Sequence, residues 1–234
     1  NVFQLFEDKP RQFDAWELEA SFEDKMDTVR ELKKVTVTKG VYSDTVHFVW
    51  SYKHTTIRQD MVLYAHTKRI DFKTEIDWQE REKILKVAFP LDIRATTARF
   101  DIQFGSIERP ITRNTSWEAA KFEVVGHKWA DLSESGYGVA LLNDCKYGYD
   151  VKNSVLRLSL FKSSNYPDYD ADRGIQTVTY ALYPHEEVWY QSGLEQEAWT
   201  LNNPLLAFSG SWQGKKNPAL SIDRDGIDPV YCAV

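Results

Sequence analysis

Ile70-Asp71-Phe72-Lys73-Thr74-Glu75-Ile76-Asp77-Trp78 places apolar or β-branched residues on every second position and mostly charges between them. Two is the side-chain period of an extended chain, so this stretch predicts a strand with one buried and one wet face. The pattern returns at Phe100, Ile102 and Phe104, across residues 155–161 and across 176–183. Residues 46–52 and 61–66 read as two further strands. Gly138-Val139-Ala140-Leu141-Leu142 has no polar position, which predicts a central strand covered on both faces. The spacing gives about nine to twelve strands in antiparallel sheets. The expected fold class is all-β, a large antiparallel β-sandwich with few helical turns. Wide sheet faces suit the 8 Trp, 12 Tyr and 12 Phe, because each ring buries a large area.

Helical signals are sparse. Residues 22–34 hold good helix formers, but Val35-Thr36-Val37-Thr38 turns that region toward strand. Thr115-Ser116-Trp117-Glu118 reads as one capped turn, with Thr115 or Ser116 as the cap. Residues 1–208 are expected to form the large β-sandwich. Residues 209–234, richer in Gly, Pro, Lys and Asp, are expected to be a linker and the start of a small C-terminal β-unit.

The chain has 234 residues, 42% hydrophobic and 27% charged, which excludes disorder, collagen and coiled coil as readings of the whole. With 29 basic and 35 acidic residues, a formal charge of −6, it has no general electrostatic footprint for nucleic acid. No apolar run approaches the ~20 residues of a membrane helix. Cys145 and Cys232 lie far apart, with no second Cys or His at metal spacing; free thiols in a reducing compartment are the expectation. The chain opens Asn1-Val2-Phe3-Gln4 and closes inside the apolar run Tyr231-Cys232-Ala233-Val234, so we expect a piece of a longer protein.

Local chemistry is thin. His47, His54, His66, His127 and His185 form no H-E-x-x-H and no close pair, so a zinc site within this chain is not expected. No nucleophile elbow, phosphate loop or dinucleotide fingerprint is present. Ser133 and Ser135 flank Glu134 without a base in sequence context. Asp168-Tyr169-Asp170-Ala171-Asp172-Arg173-Gly174 spaces acids like a calcium loop, but Arg173 and Thr179 stand where an EF-hand needs Gly and Glu. An Asp-rich turn is the plainer reading; an acid beside an Arg can also grip sugar hydroxyls. If residues 122–131 are extended, His127, Trp129 and Asp131 share a face.

Longer strings say more. Arg109-Pro110-Ile111-Thr112-Arg113-Asn114-Thr115-Ser116-Trp117 is followed by Ala120-Lys121-Phe122-Glu123-Val124-Val125-Gly126-His127-Lys128-Trp129-Ala130-Asp131-Leu132-Ser133-Glu134. Then come Gly136-Tyr137-Gly138-Val139-Ala140-Leu141-Leu142-Asn143-Asp144-Cys145-Lys146-Tyr147-Gly148, Ala171-Asp172-Arg173-Gly174 and Thr179-Tyr180-Ala181-Leu182-Tyr183-Pro184-His185. With the opening Gln4-Leu5-Phe6-Glu7-Asp8-Lys9-Pro10, these closely resemble the C-terminal β-region of glycoside hydrolase family 38, the class II α-mannosidases, in their bacterial and cytosolic branch.

The resemblance implies a retaining hydrolase of α-mannosides whose zinc, Asp nucleophile and acid–base residue lie in a preceding domain. It implies no catalytic or metal-binding residue in this chain. It implies a β-domain that packs against its own N-terminal catalytic domain, lines part of the active site and lies in the cytoplasm. Asp172 and Arg173 are the residues it suggests for the α-mannoside-facing wall, with His185 a further candidate. Two other readings remain open. In one, the chain is an autonomous carbohydrate-binding module using Trp189, Trp199 and Trp212. In the other, it is a structural or homo-oligomer-forming domain, which would leave a large apolar face exposed.

Overall fold

The computed structural model describes residues 1–206 and 209. The first strands are β1 (Val2–Glu7), β2 (Met26–Thr28), β3 (Glu31–Thr38), β4 (Ser43–Tyr52) and β5 (Thr55–Tyr64). β6 (Ile70–Trp78), β7 (Lys83–Pro90), β8 (Thr97–Ile102), β9 (Gly105–Pro110) and β10 (Val124–Val125) follow. The last are β11 (Trp129–Glu134), β12 (Tyr137–Asn143), β13 (Gly148–Lys152), β14 (Val155–Lys162) and β15 (Gly174–His185). Two short α-helices, α1 (Ser116–Ala119) and α2 (Leu194–Asn202), complete the described elements. A six-stranded sheet has the order β10-β13-β14-β7-β1-β2, and a nine-stranded sheet the order β3-β4-β5-β6-β15-β12-β11-β8-β9. The strands are more numerous than expected because short pieces such as β2 and β10 carry no readable period. No described helix is long and apolar enough to cross a membrane.

The two sheets enclose one apolar core. Phe72, Ile76 and Trp78 of β6 point into it, while Lys73 is exposed, as the alternation predicts. Phe72 stacks on Tyr180 at 5.4 Å, and Trp78 on Phe161 at 5.7 Å. Each such buried side chain stabilises by ~1.5–3 kcal/mol relative to exposure. Asp71 departs from the pattern: it is on the outer face yet buried, because Arg69 Nε (2.6 Å) and Tyr64 Oη (2.9 Å) hydrogen-bond its carboxylate.

β12 is covered on both faces, as its unbroken apolar run predicts. Val139 and Leu141 join the central core; Ala140 and Leu142 pack with Leu194 and Ala198. The second cover is therefore α2. Its two buried residues are four apart, one helical turn, and Glu195 and Glu197 lie in its first turn, where negative charge suits the helix dipole.

Residues 22–34 do not form an α-helix. A 3₁₀ turn at Phe22–Asp24 is followed by β2 and β3, since β3 pairs along nearly its full length with β4. Thr115 caps α1, its hydroxyl accepting from the Glu118 backbone N–H at 3.1 Å. Residues 122–131 are not one strand. The chain leaves the smaller sheet after β10 and enters the larger at β11, and His127 N–H is turned onto the Asp101 carbonyl at 2.9 Å. Of the expected C-terminal linker, nearly all lies outside the described residues.

The outer face of the smaller sheet is also covered. Phe6, Phe22 and Ile84 cluster there with Leu18 and Phe122. Beneath them Lys86 is fully buried, with Nζ 2.7 Å from Asp150 and 2.6 Å from Glu123. Burial works against its charge, but the two carboxylates outweigh that and raise its pKa. Arg157 completes the cluster on Asp150 at 2.8 Å.

Candidate functional site

All three residues singled out in the sequence sit at the ends of β15. Asp172 and Arg173 precede it and His185 is its last residue. Twelve residues of strand span about 40 Å, so the three do not form one site.

At the first end, the connection from β14 to β15 is held from several sides. Asp14 accepts from the backbone N–H groups of Asn165 (2.5 Å) and Tyr166 (3.2 Å). Trp78 Nε1 donates to Ser163 Oγ at 2.5 Å. Arg81 stacks on the Tyr169 ring at 3.6 Å, donates to the Tyr169 carbonyl and reaches Asp170 at 2.6 Å. Arg173 donates to Asp170 (2.9 Å) and to Gln79 (3.1 Å). Hydrogen bonds from Arg173 and Arg81 hold the Asp170 carboxyl below its ordinary range. Asp172 adopts a left-handed backbone (φ 60°) followed by Gly174 at φ 102°, a turn that Asp and Gly tolerate. Its Oδ2 accepts from the Lys162 N–H at 3.2 Å and its side chain is exposed. Lys162 and Asp172 line a shallow concavity of about 180 Å³ with Glu123, Ser159 and Phe161. Beside the loop Phe13 stacks on Trp16 at 5.7 Å, and both rings are exposed with Tyr166 and Tyr169. Phe13 and Trp16 carry no sequence signal, because it is the Asp14 contacts and the Lys162 bond to the Glu17 carbonyl that bring residues 13–17 to the loop.

At the other end, His185 is buried. Its Nε2 lies 2.9 Å from Asp131 Oδ1 and its Nδ1 lies 2.7 Å from the Glu187 carbonyl. Burial opposes the imidazolium, but Asp131 and the Glu187 carbonyl outweigh it and raise the His185 pKa. Ser133 Oγ donates to the other Asp131 oxygen at 2.5 Å. In this array the carboxylate stands between Ser and His, so no base activates the hydroxyl. Gly138 makes the packing possible: a Cβ there would stand 2.2 Å from Ser133 Oγ and 2.4 Å from the His185 ring. The pairing of Asp131 with His185, rather than with His127, follows from β11, β12 and β15 being adjacent. The His127 ring instead lies 5.5 Å from that of Tyr147.

Trp189 packs on Trp129 at 5.5 Å with Arg99 over its ring, and Trp199 carries Lys128 at 4.9 Å. These two do not make an open stacking platform, and Trp212 lies outside the described residues. Among the described residues Cys145 has no disulfide partner, and partial burial together with Asp144 pushes its thiol up to about 12, so as a thiol it is no thiolate nucleophile at neutral pH. Cys232 is outside the described residues. Among the described residues, no group of three or more His, Cys, Asp or Glu side chains could hold a metal ion. The described residues therefore do not fit a zinc centre.

The comparisons with known proteins agree with one another. The family described as "Glycosyl hydrolases family 38 C-terminal domain" matches residues 1–170. Alpha-mannosidase 2C1 of Homo sapiens is 41% identical over 210 residues, 88% of this chain and 20% of that protein. Alpha-mannosidase of Saccharomyces cerevisiae is 40% identical over 194 residues, 79% of this chain and 18% of that protein. This chain thus spans about a fifth of the length of the curated relatives it matches. A solved alpha-mannosidase from Enterococcus faecalis V583 shares the fold, with a TM-score of 0.70 at 14% identity over 85% of this chain and 27% of that one. The sandwich, the matched residues and the relatives together establish that this chain belongs to glycosyl hydrolase family 38, as a C-terminal domain of that family.

Proposed function

We propose that this chain is the noncatalytic β-part of a retaining, zinc-dependent α-mannosidase of the cytoplasm, and that the 163–173 loop forms one wall of its active site. The observation that carries this reading is the contrast in how polar groups are used. In the clusters at Lys86 and His185 the charges are answered inside the fold, whereas Asp172 and Arg173 stand at an open rim, held by a braced loop. Asp172 is suited to accept hydrogen bonds from sugar hydroxyls and Arg173 to donate them, and the exposed ring of Tyr166 offers a face for the apolar side of a sugar. Family membership supplies the substrate class. On this reading zinc and the two carboxyl groups of a retaining enzyme, about 5 Å apart, would lie in the preceding domain, as the family resemblance implies.

The test is made in the complete enzyme. Asp172→Asn and Arg173→Ala are expected to raise KM for an α-mannoside about 5- to 50-fold, the loss of one or two hydrogen bonds to substrate. Unchanged kcat and KM in both variants would remove the loop from the active site.

A further inference from the structure

Two segments cross between the sheets side by side at one end of the sandwich. β6 and β15 are neighbours in the larger sheet, and β7 and β14 are neighbours in the smaller one. Residues 79–82 carry the chain from β6 to β7, and residues 163–173 carry it from β14 to β15. Register brings the ends of the two crossings together. Trp78 of β6 stands opposite Gly174 of β15, and Ile84 of β7 stands opposite Lys162 of β14. Packed sheets lie about 10 Å apart and an extended residue spans about 3.3–3.6 Å, so residues 79–82 have little slack. The Gln79 N–H donates to Thr55 Oγ1 at 3.0 Å, and both Thr55 and Glu80 are buried. The short crossing is therefore a fixed base on which the long one is laid. Their backbones are tied only where they start: the Glu82 N–H donates to the Ser163 carbonyl at 3.0 Å, and the Ser163 N–H donates to the Lys83 carbonyl at 2.9 Å.

Farther along, the ties are side chains of the short crossing. Arg81 lies over the Tyr169 ring, 3.6 Å from its centroid, donates to the Tyr169 carbonyl and reaches Asp170 Oδ1 at 2.6 Å. Among the described residues, no other side chain from outside the loop hydrogen-bonds residues 167–171. The remaining bonds there are local: the Asp170 N–H to Asp168 Oδ1 at 3.0 Å, and the Arg173 N–H to the Asp170 carbonyl at 3.1 Å. Such bonds shape the turn without attaching it to the sandwich. Asp170 Oδ1 also accepts from Arg173 at 2.9 Å, and a second Arg173 nitrogen donates to Gln79 at 3.1 Å. One carboxylate oxygen thus joins the two arginines. Arg173 spends two of its five N–H donors on these anchors and keeps the others on a partly exposed fork. A planar guanidinium is what Arg81's place requires, since it stacks on a ring and donates to two acceptors at once.

We propose, on the reading of Asp172 and Arg173 as substrate-facing, that Arg81 is a positioning residue. It holds Tyr169 and Asp170 against the short crossing, and so sets the direction in which Arg173 presents its remaining donors to the sugar. The test is a double-mutant cycle in the complete enzyme, read as kcat and KM for a nitrophenyl α-mannoside together with Tm. Arg81 and Asp170 are both partly solvated, so the variants are expected to fold. Arg81→Ala should raise KM about 3- to 10-fold and leave kcat within about twofold. Arg81→Lys keeps a charge near Asp170 but cannot stack flat and donate to both acceptors, so its KM should fall between the two. Added to Arg173→Ala, Arg81→Ala should change KM by less than about twofold, because the group it positions is gone. A residue that only stabilised the fold would lower Tm and act equally in both backgrounds. An unchanged KM in Arg81→Ala, or an effect of the same size with and without Arg173, overturns this role while leaving the loop at the active site. An unchanged KM in Arg173→Ala overturns it as well, and the reading of the loop falls with it where Asp172→Asn is also silent.

Discussion

The buried clusters at Lys86 and His185 and the open loop at residues 163–173 use the same kinds of side chain in opposite ways. Lys86 is fully enclosed and held by carboxylates from β13 and from the segment before β10, and His185 has an acceptor on each ring nitrogen. In the loop, Asp170 draws in Arg81 and Arg173, yet all remain in contact with water. The buried pairs fix the fold and have nothing left to offer a ligand. The loop is braced and its Asp170, Arg81 and Arg173 stay open to solvent.

The sharpest way to break this comparison is Lys86→Ala. It leaves Asp150 and Glu123 without their shared cation in a covered site, and breaking such a pair costs about 3–5 kcal/mol. Denaturant unfolding should show a loss of that size; a loss below about 1 kcal/mol would mean water reaches the cluster.

A smaller effect is expected at Gly138→Ala. The new methyl must displace Ser133 or the His185 ring, at about 1–3 kcal/mol. An unchanged Tm would show that the ring moves freely and that the site is looser than described.

The pH dependence of His185→Gln comes next. The folded pKa of His185 is raised above its ordinary value near 6.5, so its stabilisation is fully present below that pH and is lost as pH rises through the folded value. The stability gap between the original chain and the variant should be about 1–2 kcal/mol at pH 5.5 and narrow by pH 9. A gap that widens with pH would mean that the neutral ring is the bound form.

Arg173→Ala should be the mildest in stability, within about 0.5 kcal/mol, because its partners are solvated. That small cost beside a raised KM in the complete enzyme would separate a binding role from a structural one.

Much of the fold is readable before any coordinates. The alternation of β6 and the unbroken run of β12 give the sheets and the doubly covered strand. α2 is not readable as that cover, since only Leu194 and Ala198 of it are buried. Alternation assigns Asp71 to a wet face, yet it is buried, as are Lys86 and Asp131. The reason is physical: Lys86 and Asp131 are answered by groups remote in sequence, as His185 answers Asp131 across 54 positions, whereas Asp71 is answered by Arg69 two positions away. The candidate site was legible in part. Asp172 and Arg173 are visible as an acid beside a base in a turn, while the rings of Phe13 and Trp16 reach the loop through Asp14 and the Glu17 carbonyl.

The central claim is that this chain shapes a mannosidase active site without holding its chemistry. The most direct measurement is release of nitrophenol from a nitrophenyl α-mannoside, with added zinc, by purified 1–234 alone and by the same chain combined with the remainder of its protein. The result expected is no release by the chain alone and release by the combination. Zinc-dependent release by 1–234 alone would contradict the account and reopen its His and Asp residues as metal ligands.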